Sequence, residues 1–154
     1  MDTREFTASC MERNRTATMQ SISGLGQEEL TWQPHPSANP IGFLLFHIFR
    51  TEDRYVHRVL GEKEEFWERD GWDRRWVLPP HGAEVAPVWP TGQTWTIEQV
   101  VEWEPPPLEE MLGYAQQVRR SALEVLQGLD PATLDKPLDL NRPEITRTFH
   151  LRIV

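Results

Sequence analysis

A single cysteine, Cys10, stands among the 154 residues, so no internal disulfide can form and no cysteine-rich zinc site can be assembled. A reducing cytoplasm is the simplest compartment for such a chain. Positive charge is also scarce. Sixteen basic residues against twenty-four acidic ones leave a formal net charge of −8, and the short basic groups Arg4/Arg13/Arg15 and Arg74-Arg75 are interrupted by acids. A phosphate-neutralising surface is therefore poorly supplied, which excludes nucleic acid and anionic membrane as expected partners. No run approaches the ~20 apolar residues of a membrane span. The densest stretch, residues 41–49, has the length of a core segment. The opening Met1-Asp2-Thr3-Arg4-Glu5 has no apolar segment of the kind a secretory signal needs. There is no glycine-rich phosphate loop, no GxSxG elbow and no HExxH pair.

What the chain does have is helical periodicity. A first helix is expected over residues 3–22, closed by Gly24 and Gly26. A second begins at Asn39, a good N-cap, with Pro40 in its first turn, and runs to Leu60-Gly61. Ile41, Leu44, Leu45, Ile48, Tyr55, Val56 and Val59 fall on one face, and Phe43, Phe46 and Phe49 cover much of the rest, so this helix is expected deep in a bundle. Pro107 opens a third helix, whose seam of Leu108, Met111, Leu112, Ala115, Val118, Ala122, Val125, Leu126 and Leu129 ends at Gly128 and Pro131. A short fourth helix can start at Pro143-Glu144 before the sequence stops at Val154. One domain over residues 1–154 is expected from this length.

Residues 66–107 hold six of the seven tryptophans and seven of the thirteen prolines. Each indole buries a large area and wants its N–H satisfied, so this is an ordered crossover packed on the helices rather than a tether. Within it, Thr96-Ile97-Glu98-Gln99 fits a capping box for a short helix over residues 97–104. The chain also echoes itself. Gly24-Leu25 followed by Leu30 and Pro34 resembles Gly128-Leu129 followed by Leu134 and Pro137, and Pro40 stands seven residues before His47 as Pro143 stands seven before His150.

Candidate chemistry is concentrated in the second helix. His47 lies amid apolar residues, where both imidazole nitrogens need partners, and is either a hydrogen-bonded core histidine or a metal ligand. Thr51, Arg54 and Arg58 follow it on the same face. Glu52 points along the apolar face and has to be paired, protonated or at a pocket edge, an ion pair with an arginine of a neighbouring helix being the simplest arrangement. His57 lies about 80° round the helix from His47 and cannot easily share a small ion with it. His35 and His81 sit in proline-rich turns and are expected at the surface. Cys10 is expected as a buried apolar thiol, and Glu102, Glu104, Glu109 and Glu110 as helix-start acids.

Several stretches are similar to the DinB-like superfamily of helical bundles, to which bacillithiol- and mycothiol-dependent thiol transferases and a maleylpyruvate isomerase belong. They are Gly24-Leu25-Gly26-Gln27-Glu28-Glu29-Leu30-Thr31-Trp32-Gln33-Pro34, then Asn39-Pro40-Ile41-Gly42-Phe43-Leu44-Leu45-Phe46-His47-Ile48-Phe49-Arg50-Thr51-Glu52, and, further on, Gly71-Trp72 with Thr91-Gly92, Trp95-Thr96 and Leu112-Gly113-Tyr114-Ala115. The resemblance implies an all-α four-helix bundle with the Trp/Pro-rich crossover between helices two and three, and here a truncated fourth helix. It also implies a divalent metal, zinc or nickel, on three histidines. His47 matches the first of these. Of the HxxxH pair usual on the fourth helix, His150 is present and Val154 occupies the second position, which leaves the metal site two ligands at most. The implied activity is metal-dependent thiol transfer or hydrolysis on a small-molecule substrate, with a low-molecular-weight thiol as co-substrate. A homodimer would cover the groove a shortened fourth helix leaves. The competing expectation is a non-enzymatic dimerisation module or an inactive remnant.

Overall fold

Asp2 opens the first helix, α1 (Thr3–Ser21). Its carboxylate accepts from the backbone N–H groups of Arg4 and Glu5 at 2.9 and 3.0 Å, while the Glu5 carboxylate accepts from the N–H of Asp2 at 2.9 Å, a reciprocal capping box. Gly24, with φ +84°, supplies the left-handed turn that ends the segment. A 3₁₀ turn over Gln27–Thr31 leads to α2 (Ile41–Asp53). The helix starts two residues beyond the expected Asn39. The Pro40 carbonyl accepts from Leu44 N–H at 3.1 Å and the Ile41 N–H donates to the Trp32 carbonyl at 3.2 Å, so the boundary falls on a residue that has no N–H to satisfy.

This computed structural model describes residues 2–79, 95–138 and 143–151, with His150 by its backbone alone; His81, Trp89, Thr91, Gly92 and Val154 lie outside the described residues. After Asp53 the helix widens into a π-helical stretch over Arg54–Leu60, where Gly61 N–H reaches the Val56 carbonyl, five residues back, at 2.9 Å. Two single-turn helices follow, α3 (Phe66–Arg69) and α4 (Trp72–Arg75). The short helix α5 (Ile97–Glu102) has the expected box: Gln99 N–H donates to Thr96 Oγ1 at 3.3 Å and Thr96 N–H to Gln99 Oε1 at 3.0 Å. Helix α6 (Leu108–Gly128), a 3₁₀ turn over Pro131–Thr133 and α7 (Arg147–Leu151) complete the order. The fold class is all-α, as expected; among the described residues the one extended pairing is the isolated bridge between Pro137 and Thr146. The echo survives locally, since each helix-ending glycine is followed by a 3₁₀ turn and, further on, by another helix.

The chain divides into two compact units. The first comprises Met1–Ser23, Glu52–Glu65 and Val118–Val154. Its core is aliphatic, with Met11, Val56, Leu60, Ala122, Val125, Leu126, Leu129, Leu134 and Leu151 packed together. Arg147 donates to the Leu60 carbonyl at 3.3 Å and pairs with the Glu62 carboxylate, fastening α7 to the end of the π stretch.

The second unit comprises Gly24–Thr51 and Phe66–Gln117, and its core is aromatic. Phe46 is its centre. Its ring lies 5.3 Å from Trp95, 5.1 Å from Trp103, 6.0 Å from Trp67 and 6.4 Å from Trp76. Two indole N–H groups find partners, Trp76 on the Glu110 carboxylate at 3.3 Å and Trp103 on the Val77 carbonyl at 2.9 Å, so the described part of the crossover is an ordered, packed layer. The buried face of α2 differs from the expected one. Phe43, Leu45, Phe46, Phe49 and Arg50 are buried, whereas Leu44 and Ile48 are 44% and 43% exposed. The indoles select the phenylalanine stripe because flat rings pack against one another with more area and better geometry than branched side chains offer.

Candidate functional site

The third turn of α2 carries the polar groups. His47 is half-buried, and its ring stacks on that of Phe43 one turn earlier, centroids 6.0 Å apart and planes 11° from parallel. Phe43 contacts Trp95 at 5.6 Å, and Trp95 meets Trp103 edge-on at 5.3 Å. A continuous file of rings thus runs from the imidazole to Trp103. That indole lines a cleft of about 850 Å³ together with Trp76, Val77, Leu78, Pro105 and Glu110, all within the second unit. A cleft of that size and mixed lining is of the kind that takes a small organic molecule.

In the same unit, Arg50 is fully buried. It donates from Nη1 to the Tyr114 hydroxyl at 2.8 Å, and its guanidinium lies 4.4 Å from the centre of the Trp67 ring. A planar cation can be held this way between a hydroxyl and an aromatic face, which an ammonium could not reproduce.

In the first unit a second polar group has formed. Glu52 accepts from Arg119 Nη2 at 2.6 Å, the expected ion pair with an arginine of another helix. The pair is largely desolvated, with Glu52 8% exposed. Burial pushes the Glu52 carboxyl up to about 7, against the opposing pull of Arg119, Arg15 and His57 and with Asp53 adding to the rise. Half-buried Arg15 of α1 is lowered by its own burial and by Arg119, with Glu52 and Glu12 acting against that. His57 is buried and shares a 2.8 Å contact between its Nδ1 and Asp53 Oδ1. Arg54 and Arg58 both donate to Glu65 Oε1 at 3.1 Å. The π stretch places these groups. Its wider turn breaks the 100° step on which the expected alignment of His47, Thr51, Arg54 and Arg58 rests, and carries both arginines to Glu65.

The remaining expected residues separate clearly. His35 is exposed and held locally by Ser37, its Nδ1 lying 2.8 Å from the Ser37 hydroxyl. Cys10 is half-buried, and Glu102, Glu104, Glu109 and Glu110 are exposed at helix ends. His47 belongs to the second unit, and His150 lies in α7 of the first, its side chain outside the described residues. Among the described residues no group of three or more His, Cys, Asp or Glu converges as a metal site would require. Sequence reasoning missed the Asp53–His57 contact and the Glu65 pairings. The four-residue Asp–His spacing was the available signal for the first, and nothing local announced the second.

No protein of curated function matches the chain. Among solved structures, a crystal structure of a conserved protein from Enterococcus faecalis is similar in fold, with a TM-score of 0.82 at 17% identity over 99% of this chain and 86% of that one. No helix among the described residues is long and apolar enough to cross a membrane. The model of the DinB superfamily matches residues 11–154, nearly the whole chain and including the α2 segment that carries His47, and the protein belongs to that superfamily.

Proposed function

We propose that this protein binds and transforms a small organic molecule in the cleft of its second unit, by a transfer or hydrolysis reaction of the kind its superfamily ancestry implies. The observation that carries the reading is the file of rings from His47 through Phe43 and Trp95 to Trp103, which ends on the cleft wall. Rings packed in van der Waals contact cannot shift independently, so a ligand seated against Trp103 is registered relative to the imidazole. The ancestry adds a low-molecular-weight thiol as co-substrate and a divalent ion, zinc or nickel, with His47 as a ligand. Metal content after loading with zinc or nickel and desalting tests this part. The parent is expected to retain ion in stoichiometric amount and His47→Ala to lose it; equal and negligible metal in both defeats the metal-dependent form of the reading.

A non-enzymatic role as a homodimerising module is favoured by one observation, the exposure of Leu44 and Ile48 one turn apart on α2. Sedimentation in metal-free buffer separates the two. A tight dimer that Leu44→Glu converts to monomer supports the module, and a monomeric parent removes it.

A further inference from the structure

We propose that the cleft of the second unit takes a small organic cation, a molecule with an ammonium group beside an apolar body, an inference that rests on this cleft being the ligand site.

The cleft wall is poor in hydrogen-bond donors. Four prolines, Pro79, Pro105, Pro106 and Pro107, line it and have no N–H to give. The two indoles of the wall have spent theirs, Trp103 on the Val77 carbonyl at 2.9 Å and Trp76 on the Glu110 carboxylate at 3.3 Å. An indole has no second donor, so what Trp76 and Trp103 still offer a ligand is ring surface. The other side-chain donors among the described residues of the lining are Gln99 and Arg75, and the Arg75 guanidinium already lies 4.8 Å from the centre of the Trp72 ring.

Acceptors are plentiful by contrast. Glu102 from the end of α5, Glu104 from the segment after it and Glu110 from the first turn of α6 line the same cleft, and the Trp76 N–H holds Glu110 against the wall. An anion would meet three carboxylates against one guanidinium and find few donors. A cation is drawn in, because a cleft with acidic lining and low-dielectric walls concentrates the field of its charges.

Carboxylates alone would attract any counter-ion. The indole and proline surface between them selects an organic one, since a weakly hydrated ammonium can lay its charge toward a ring or a carboxylate while its carbon atoms cover apolar wall. This unit already seats cations on rings in that manner, Arg50 on Trp67 at 4.4 Å and Arg75 on Trp72 at 4.8 Å.

The test follows the tryptophan fluorescence of the intact chain, titrated with choline and with butylammonium at matched ionic strength. Each is paired with a neutral counterpart, dimethylbutanol (carbon in place of the choline nitrogen) and butanol. At least one cation should give a saturable change, with binding about tenfold tighter than its neutral counterpart, and the tighter cation tells a quaternary from a primary ammonium. Glu110→Gln keeps an acceptor for the Trp76 N–H at an exposed position and removes the charge. It should weaken the cation severalfold and leave the neutral counterpart unchanged. Arg75→Gln, which deletes the like charge, should tighten the cation. Equal binding of cation and neutral counterpart overturns the inference and leaves the cleft standing as a ligand site. A cation response that Glu110→Gln does not alter overturns it too, because the cation is then bound elsewhere. No saturable response to either cation also overturns it, whatever the metal content of the parent, which tests the metal-dependent reading separately.

Discussion

Replacing Glu52 by glutamine should remove a large part of the pH dependence of this protein's stability. The carboxyl is held at about 7 in the folded chain against an ordinary 4.5, raised chiefly by burial, so between those values the folded state binds more protons than the unfolded one. Stability then falls as pH rises through this window, the reverse of a carboxylate stabilised by its partner. The shift is fully favourable below about pH 4.5 and spent above about pH 7, and integrating between pH 5 and pH 8 gives a loss of about 2 to 3 kcal/mol attributable to this one group. That is a sizeable share of the 5–15 kcal/mol a typical domain possesses.

The assay is urea unfolding at pH 5, 6, 7 and 8 for parent and Glu52→Gln, with the slope m compared to ensure that the same transition is followed. The variant should be less stable than the parent at pH 5 or equal to it, and should gain on it steadily toward pH 8, because it never has to bury a charge. Parallel curves for the two proteins would refute the reasoning, since other titrating groups contribute equally to both. A parent curve that rises between pH 5 and pH 7 more steeply than the variant's would show that Arg119 at 2.6 Å outweighs the burial, and that the ionised pair is the stable form.

Two further substitutions probe the second unit. Gly42→Ala would set a methyl group 2.8 Å from Pro105 Cβ and 3.1 Å from the Leu30 carbonyl oxygen, partners that are a rigid ring and backbone. A loss of about 1–3 kcal/mol by denaturant unfolding is expected, as for overpacking elsewhere, and an unchanged midpoint would show that α2 and the proline segment can separate freely. Tyr114→Phe deletes the hydroxyl that accepts from Arg50 Nη1 at 2.8 Å in a fully buried position. It should cost about 1.5–3 kcal/mol, the range for a hydrogen bond to a charged group, with tryptophan fluorescence altered through Trp67 and Trp72, whose rings lie 6.2 and 5.5 Å from it.

The elements that could be read from sequence are those whose boundaries are written locally. Gly24 ends its segment because glycine alone enters the required left-handed turn cheaply, and Thr96 with Gln99 spells the cap of α5 within four residues. The same Asx–x–x–Glu spacing in Asp2 and Glu5 was as legible and gives α1 its start. The pairing of Glu52 followed from energetics, since a carboxylate on an apolar face has no other way to persist than a partner or a proton. The buried side of α2 was not legible. A helix apolar almost all round carries no phase, and the phase is set by tryptophans more than twenty residues further along the chain. The π stretch over Arg54–Leu60 has no sequence signature either, yet it decides where His57, Arg54 and Arg58 point.

The two units differ in how they hold positive charge, and this decides where function can respond to conditions. Fourteen of the sixteen basic residues are arginine, and the buried ones are never lysine. A guanidinium can stack and donate in one plane, as Arg50 does on the Trp67 face and to the Tyr114 hydroxyl. Arg119 and Arg54 instead face carboxylates, Glu52 and Glu65. An aromatic cage around a cation has no proton to exchange near neutral pH, whereas a buried carboxylate–guanidinium pair does as soon as burial lifts the acid toward 7. The loss of stability with rising pH between 5 and 8 should therefore trace in large part to Glu52 in the first unit.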